Sequence, residues 1–437
     1  MIHRGIASFG LDYGHCPPWL FDRMVKLGRA MVHVLIAEYG PDEFIRRMAD
    51  PAWFQSLGTV LAFDWNASGL TTILTAALKE AIRGEERDLG IFICGGKGKT
   101  SRKTPDEILQ WGERLSLADG QAQKLVYNSK MSAKVDSALV QDGFQLYHHS
   151  FIFSIGKKPI DPAKPVSGEA GQALLRSAGG ASDFAKSTPD KSRGTPHYAE
   201  TASKGTQITA WTVVQQGMNV EKGAARRYHW FSEDVNDLVS DPHSGISSPV
   251  VLNRVLDLAA KGSLKTRNIS TELVQAGYAP LMKDINLIRR FSSNLSQASL
   301  FENQEGMRLA LLNLETKEFK SHPVVREDFS KSKYLEKVLS LVTDRKPENY
   351  EALVAMPGVG PKTLRALALV GEVVYGAKPS YEDPARYSFA HGGKDATPYP
   401  VDKPTYDQTI QILASAVRKA ALPIDEKRKA MGRLFGE

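Results

Sequence analysis

The chain has 437 residues, of which 42% are hydrophobic, 24% charged and 8% aromatic, a balance that supports a sizeable core and excludes a disordered or fibrous protein. Its two cysteines, Cys16 and Cys94, are too few for a cysteine-only zinc or iron–sulfur site and make no secreted disulfide framework. The 56 Lys and Arg against 49 Asp and Glu leave a formal charge of +7, a modest excess that suits a polyanionic partner without requiring one.

At roughly 100–200 residues per domain the length predicts two or three domains. The opening MIHRGIASFG carries no apolar stretch of signal-peptide type, and no uncharged apolar run approaches the roughly 18 residues that span a bilayer. A cytoplasmic protein with no membrane partner is expected.

Residues 1–89 read as helical. Leu20, Met24, Leu27, Met31, Val34 and Leu35 recur at three- and four-residue steps until Gly40-Pro41 stops the pattern. A second helix is predicted from Pro41 and a third through LTTILTAALKEAI after Ser68-Gly69. Near residue 90 the period changes. LGIFIC has the look of a buried strand and feeds the loop GGKGKTSRKTPDEI, ahead of a helix with Thr104 as N-cap and Pro105 in its first position. The segments VDSALVQDGFQLYHHSFIFSI, ITAWTVVQQGMN and ARRYHWF are strand-like, rich in β-branched and aromatic residues. Residues 156–205, crowded with Pro, Gly, Ser, Ala and Lys and lacking an apolar period, are expected to form a flexible insertion or a long hairpin loop. From 250 to 437 helical periods return. The expected fold class is α+β: a helical region 1–89, a small mixed β-sheet in 90–249, and a helical region 250–437.

The most specific segment is 349–370, where two apolar helical runs are joined by Pro357-Gly358-Val359-Gly360, with Pro361 at a first helical position. It resembles the helix-hairpin-helix element of DNA-binding proteins. Glycines permit a tight turn and close backbone approach, so that the amides of Gly358, Val359 and Gly360 and of the second helix's first turn, Thr363 included, can meet a DNA phosphate at the positive end of the helix dipole. Leu353, Met356 and Val359 fill the space between the helices in this picture, and Lys362 and Arg365 add positive charge.

Within that superfamily, Met356-Pro-Gly-Val-Gly-Pro-Lys362 and Tyr399-Pro-Val-Asp402 look like the paired motifs of bifunctional base-excision glycosylases. The resemblance implies Lys362 as the amine that attacks the sugar C1′ carbon and Asp402 as the carboxylate that stabilises the oxocarbenium-like sugar. The stretch between them is longer than in those enzymes, so residues 378–398 loop out in this reading. Asp383, nearer in sequence to Lys362, is a rival for the carboxylate, and a plain phosphate contact is the alternative role for Lys362.

Lys97, Lys99, Arg102 and Lys103 stand among small residues between a strand and a helix start, a setting suited to a nucleic-acid backbone. It is no Walker A loop, because Ile93 stands where that motif needs its first glycine. The middle strands carry Asp136, Asp142, His148, His149, Gln215, Gln216, Arg226, Arg227 and His229. Of these, Asp136, Asp142 and His148 are candidate ligands for a divalent metal such as Mg in phosphodiester cleavage. His148 and His149, adjacent on a strand, are expected to face opposite sides.

Almost the whole chain also resembles a prokaryotic family defined only as a domain of unknown function. The resemblance rests on 101–105, Ala133-Lys-Val-Asp136, 141–149, 213–219, 225–230 and 387–394. It supplies no activity, so the functional expectation stays with the hairpin: a protein that binds DNA, in particular a damaged or distorted duplex, and acts in repair as a glycosylase with lyase activity and no cofactor. Trp211, Tyr228 and Trp230 are candidates to line a pocket for a flipped base. The alternatives are a metal-dependent nuclease that uses the hairpin as a clamp, and a non-enzymatic DNA-binding protein.

Overall fold

Pro18, Pro41 and Pro51 each open a helix, where proline's missing N–H costs nothing and its φ is already helical. The helices are α1 (Pro18–Tyr39), α2 (Pro41–Met48) and α3 (Pro51–Val60), the last capped by the Asp50 side chain, which accepts from the N–H groups of Ala52 and Trp53. They are followed by α4 (Gly69–Ala81) and the short α5 (Glu86–Leu89). The computed structural model describes residues 16–61, 68–156, 206–248, 252–292, 333–385 and 403–435. The insertion expected at 156–205 lies almost wholly outside the described residues.

Five strands form one sheet in the order β1 (Ile91–Lys97), β3 (Gln145–Ile155), β4 (Ile208–Asn219), β5 (Ala224–Phe231) and β6 (His243–Ser247). All its pairings are antiparallel. A second, two-stranded ladder pairs β2 (Val140–Gln141) with β7 (Leu256–Asp257). Two expectations need correction. Residues 135–138 are the last turn of α7 (Gln121–Ala138), which follows α6 (Thr104–Leu115), so Asp136 stands on a helix rather than a strand. The start of the expected helical region is the other: residues 252–260 form no helix and hold β7, and β6 and β7 are too short to show alternation.

Both faces of the sheet are covered, so its strands are buried along both sides. On one face, here the back, Ile91, Ile93, Ile152, Ala210, Val214 and Phe231 join the core of α1–α4. On the front, Phe92, Cys94, Phe151, Phe153, Val213 and Trp230 join the core of α6 and α7. The front layer also takes α8 (Leu264–Gln275), α9 (Tyr278–Ser292), α10 (Lys333–Arg345), α11 (Tyr350–Ala355) and α12 (Pro361–Tyr375). The last helices, α13 (Lys403–Lys419) and α14 (Ile424–Phe435), return to the back, where Leu413, Val417 and Ala430 pack into the core of α1–α4. The element types thus change near residues 90 and 250, while the layers join the two ends of the chain. Among the described residues, no helix is long and apolar enough to cross a membrane.

Candidate functional site

The turn between α11 and α12 is built locally. Asn349 caps α11 by accepting from Ala352 N at 2.8 Å, and Leu353, Met356 and Val359 are buried between the helices. Gly358 has φ +84°, and a Cβ there would lie 3.3 Å from Val338 Cγ2, so glycine is required. Gly360 differs: its φ of −145° is extended backbone, and nothing lies within 4 Å of where a Cβ would stand. What Gly360 contributes is an open surface at the start of α12. That helix has no side-chain cap, so the N–H groups of its first turn have no partner within the helix.

Lys362 is exposed at this tip, whereas the side chains of Val359 and Thr363 are buried and leave only backbone for a ligand. Arg365 is half-buried; its Nε donates to Gln141 Oε1 at 2.6 Å, and Gln141 Nε2 donates to Pro361 O at 3.0 Å. The tip is held from α7 as well. Lys134 Nζ donates to Met356 O at 2.6 Å and Tyr127 OH donates to Glu351 Oε1 at 2.6 Å. Asp402 lies outside the described residues. Its rival Asp383 is buried in an ion pair with Arg226 at 2.8 Å, a structural duty.

The basic loop has a fixed root and exposed cations. β1 extends through Gly95-Gly96-Lys97, and a 3-10 turn (Gly98–Lys103) leads into α6, whose N-cap is Lys103 rather than Thr104. Gly95 has φ +90°, and a Cβ on it would collide with the His149 carbonyl oxygen and Thr104 Oγ1. Its N–H donates to Glu107 Oε2 at 2.9 Å, and its carbonyl accepts from Lys79 Nζ at 3.1 Å. Lys79 is itself paired with Glu107 at 2.6 Å. Lys97, Lys99, Arg102 and Lys103 are exposed around this anchor.

The polar doublets of the strands divide between the faces, as alternation requires. On the back, His148 Nε2 lies 3.3 Å from Thr75 Oγ1 and 3.1 Å from Ser150 Oγ. Burial, with His149 and Lys97 adding, pushes its pKa down to about 3. Gln216 Nε2 donates to Ser68 O at 2.7 Å, and Arg227 lies over the Phe54 ring and donates to Gln55 Oε1 at 3.3 Å.

On the front, His149 Nε2 lies 2.8 Å from Ser129 Oγ, and its Nδ1 lies 2.8 Å from Gln215 Oε1. Gln215 Nε2 donates to Asp136 Oδ2. Asp136 also accepts from Trp230 Nε1 at 3.1 Å and pairs with His243. Arg226 meets Asp142 at 2.9 Å and Asp383 at 2.8 Å.

These placements bear on two expectations. Asp136, Asp142 and His148 are not brought together: each belongs to a different hydrogen-bonded group, and His148 is on the opposite face. Among the described residues no group of three or more His, Cys, Asp or Glu is arranged to hold a metal ion. Trp211, Tyr228 and Trp230 are packed into the core instead of standing open to a ligand. Trp211 stacks on Phe151 with centroids 5.5 Å apart, Tyr228 OH donates to Asp142 Oδ2 at 2.6 Å, and all three are buried in the front core.

A cavity of about 250 Å³ does lie beside the basic loop, lined by Arg102, Ser129, Lys130, His149 and Gln215 among others. The sequence reading missed Ser129. Its one available signal was the spacing Ser129, Ala133, Asp136, which sets three residues on one side of α7. The tip and the cavity therefore share α7: Tyr127 and Lys134 hold the turn, and Ser129 and Ala133 line the cavity.

No curated protein and no solved structure matches the chain. A family model does, over residues 5–158 and 203–401, and the interval it leaves out falls within the expected insertion. These two segments take in the sheet, the basic loop, α7 and the glycine turn, and the chain accordingly belongs to the family described as "Protein of unknown function (DUF763)".

Proposed function

We propose that this protein binds the sugar–phosphate backbone of duplex DNA and acts in DNA repair, with the turn at 356–360 and the start of α12 as the principal contact and residues 97–103 as a second. The observation that carries this is the tip itself, where an uncapped helix start, the open surface at Gly360 and the exposed amine of Lys362 coincide. Unpartnered N–H groups at the positive end of a helix suit a phosphate, and such contacts position DNA without reading its sequence. The tip is also preformed, because Leu353, Met356 and Val359 are buried and Lys134 holds the Met356 carbonyl, so little ordering opposes binding.

A second reading, a glycosylase with lyase activity, is favoured by the exposed Lys362 amine at the helix start. In it Lys362 attacks C1′ and Asp402 supports the developing sugar cation. Fluorescence anisotropy on duplexes with and without an abasic site, over a series of salt concentrations, tests the first reading. Several displaced counterions give a steep log–log slope, and a flat plot rejects a DNA partner. Borohydride trapping in EDTA tests the second: a covalent adduct that disappears in Lys362→Gln supports it, and binding without an adduct leaves the clamp.

A further inference from the structure

Several buried hydroxyls in the helices only turn back on their own backbone: Ser56 to Ala52 O, Ser270 to Thr266 O and Thr343 to Leu339 O. Ser129 reaches instead across to β3, with its Oγ 2.8 Å from His149 Nε2. The polarity of that bond is set from Asp136. As a carboxylate paired with His243, Asp136 accepts, so Gln215 turns its NH₂ toward Asp136 and its Oε1 toward His149 Nδ1. Nδ1 then carries the ring hydrogen, Nε2 presents its lone pair, and the Ser129 hydroxyl donates to it. Hydroxyl to imidazole to amide to carboxylate is the hydrogen-bond order of an activated serine, with an amide between the imidazole and the acid.

Ser129 and His149 both line the 250 Å³ cavity, and so do Arg102 and Lys130, exposed cations on the loop and on α7. Two cations beside a nucleophile suit an ester that is already negative and gains charge as it reacts, which is a phosphodiester rather than a neutral carboxylic ester. We propose that Ser129 is the nucleophile of a phosphodiester-cleaving site, with His149 as its general base and Gln215 and Asp136 as positioning residues.

Ser129 Oγ attacks phosphorus as its proton passes to His149 Nε2. The Oγ–P bond forms, the bond from phosphorus to the leaving oxygen breaks, and His149 returns the proton to that oxygen. Water then attacks phosphorus, His149 takes a proton from it, the Oγ–P bond breaks, and Ser129 recovers its hydrogen. Burial holds His149 below the ordinary imidazole value, opposed by the Gln215 hydrogen bond and the nearby Asp136, so the ring is a neutral base at pH 7. That the natural diester belongs to a nucleic acid rests on the DNA reading above; the chemistry at Ser129 does not.

The test uses the full chain in EDTA with three probes: a fluorophosphonate, bis(p-nitrophenyl) phosphate and p-nitrophenyl acetate. The expected result is a fluorophosphonate adduct mapped to Ser129 by mass spectrometry, and turnover of the diester in preference to the acetate. Ser129→Ala, which removes one oxygen and keeps the helix, loses the adduct and about 10³-fold or more of the turnover. His149→Gln, with native circular dichroism, does the same. Gln215→Leu lowers turnover about 10- to 100-fold and moves the acid limb of the rate profile to lower pH, because the hydrogen bond it removes raises the His149 pKa. A purely structural role for Gln215 moves no such limb. A folded wild-type protein that forms no adduct and turns over no diester, yet binds DNA, overturns this proposal and leaves the DNA reading standing. Preference for the acetate overturns the phosphodiester assignment.

Discussion

The two faces of the sheet receive the same chemical groups, one from each of the doublets His148-His149, Gln215-Gln216 and Arg226-Arg227, and use them differently. On the back they pack against α3 and α4, where His148 meets Thr75, Gln216 meets Ser68 O and Arg227 meets Gln55 and the Pro51 carbonyl. On the front they meet carboxylates: Gln215 at Asp136, with His149 behind it, and Arg226 at Asp142 and Asp383. On the back each of these groups meets its own separate neighbours. The front links them, and one chain of links ends at a cavity. A residue's neighbour in sequence says nothing of its role when a strand divides them, and the partner on the next layer decides whether an imidazole is ballast or base.

The largest effect expected from breaking this contrast is at the arginines. Arg226→Met leaves Asp142 and Asp383 buried without their cation, and removing one partner of a buried pair costs about 3–5 kcal/mol. Arg227→Met removes a cation whose pKa burial alone lowers to about 9 and strands neutral acceptors, at about 1–2 kcal/mol. Guanidinium melts of the two variants measure the difference. Equal losses would erase the distinction between the faces.

Next in size is an acid limb set by the back face. The folded pKa of His148, about 3, lies below its unfolded value of 6.5, so the unfolded chain takes up the proton first. The contribution is complete above pH 6.5 and falls as pH drops toward 3. One such histidine lowers stability by about 2 kcal/mol between pH 7 and pH 5. His148→Gln should flatten that limb in urea melts at a series of pH values. An unchanged slope would mean that His148 is already protonated in the fold.

How much of this was legible follows from where each site's partners lie. The glycine turn was readable because Leu353, Met356, Val359, Gly358 and Pro361 are neighbours in sequence, and local pattern sets local geometry. The opposite facing of His148 and His149 followed from strand alternation. The Ser129 chain was not readable, because its links join residues separated by 20, 66 and 79 positions. The packing of the aromatic candidates was hidden for a related reason: Trp211, Tyr228 and Trp230 alternate toward the front core, and a strand covered on both faces gives no hint of which side is open. Asp136 reads as a strand residue because a four-residue stretch of α7 cannot show a helical period.

A smaller effect separates the two glycines of the turn. Gly358→Val must hold a β-branched residue at positive φ and press on Val338, which costs about 1–3 kcal/mol. Gly360→Val keeps an ordinary φ and meets nothing, so stability stays within about 0.5–1 kcal/mol. Under the DNA reading it nonetheless weakens binding, since a side chain now stands where the backbone met phosphate. Thermal melts and anisotropy on both variants check this, and unchanged affinity in Gly360→Val would remove the turn from the interface.

The smallest effect on the fold and the most discriminating on function is expected at Lys362. Its side chain is exposed, so Lys362→Gln should change stability by less than about 0.5 kcal/mol. As a phosphate contact it accounts for one counterion: the variant binds DNA more weakly, and the salt slope falls by about 1. As a nucleophile it accounts for all of the borohydride-trapped product, which the variant loses while affinity falls only by that same single contact. The two roles therefore share a binding phenotype and differ in the trap. Because the amine sits at the tip, whereas Ser129 sits in the cavity on another side of α7, strand cleavage that persists in Lys362→Gln and vanishes in Ser129→Ala would assign the chemistry to the front face of the sheet and leave the hairpin as its guide.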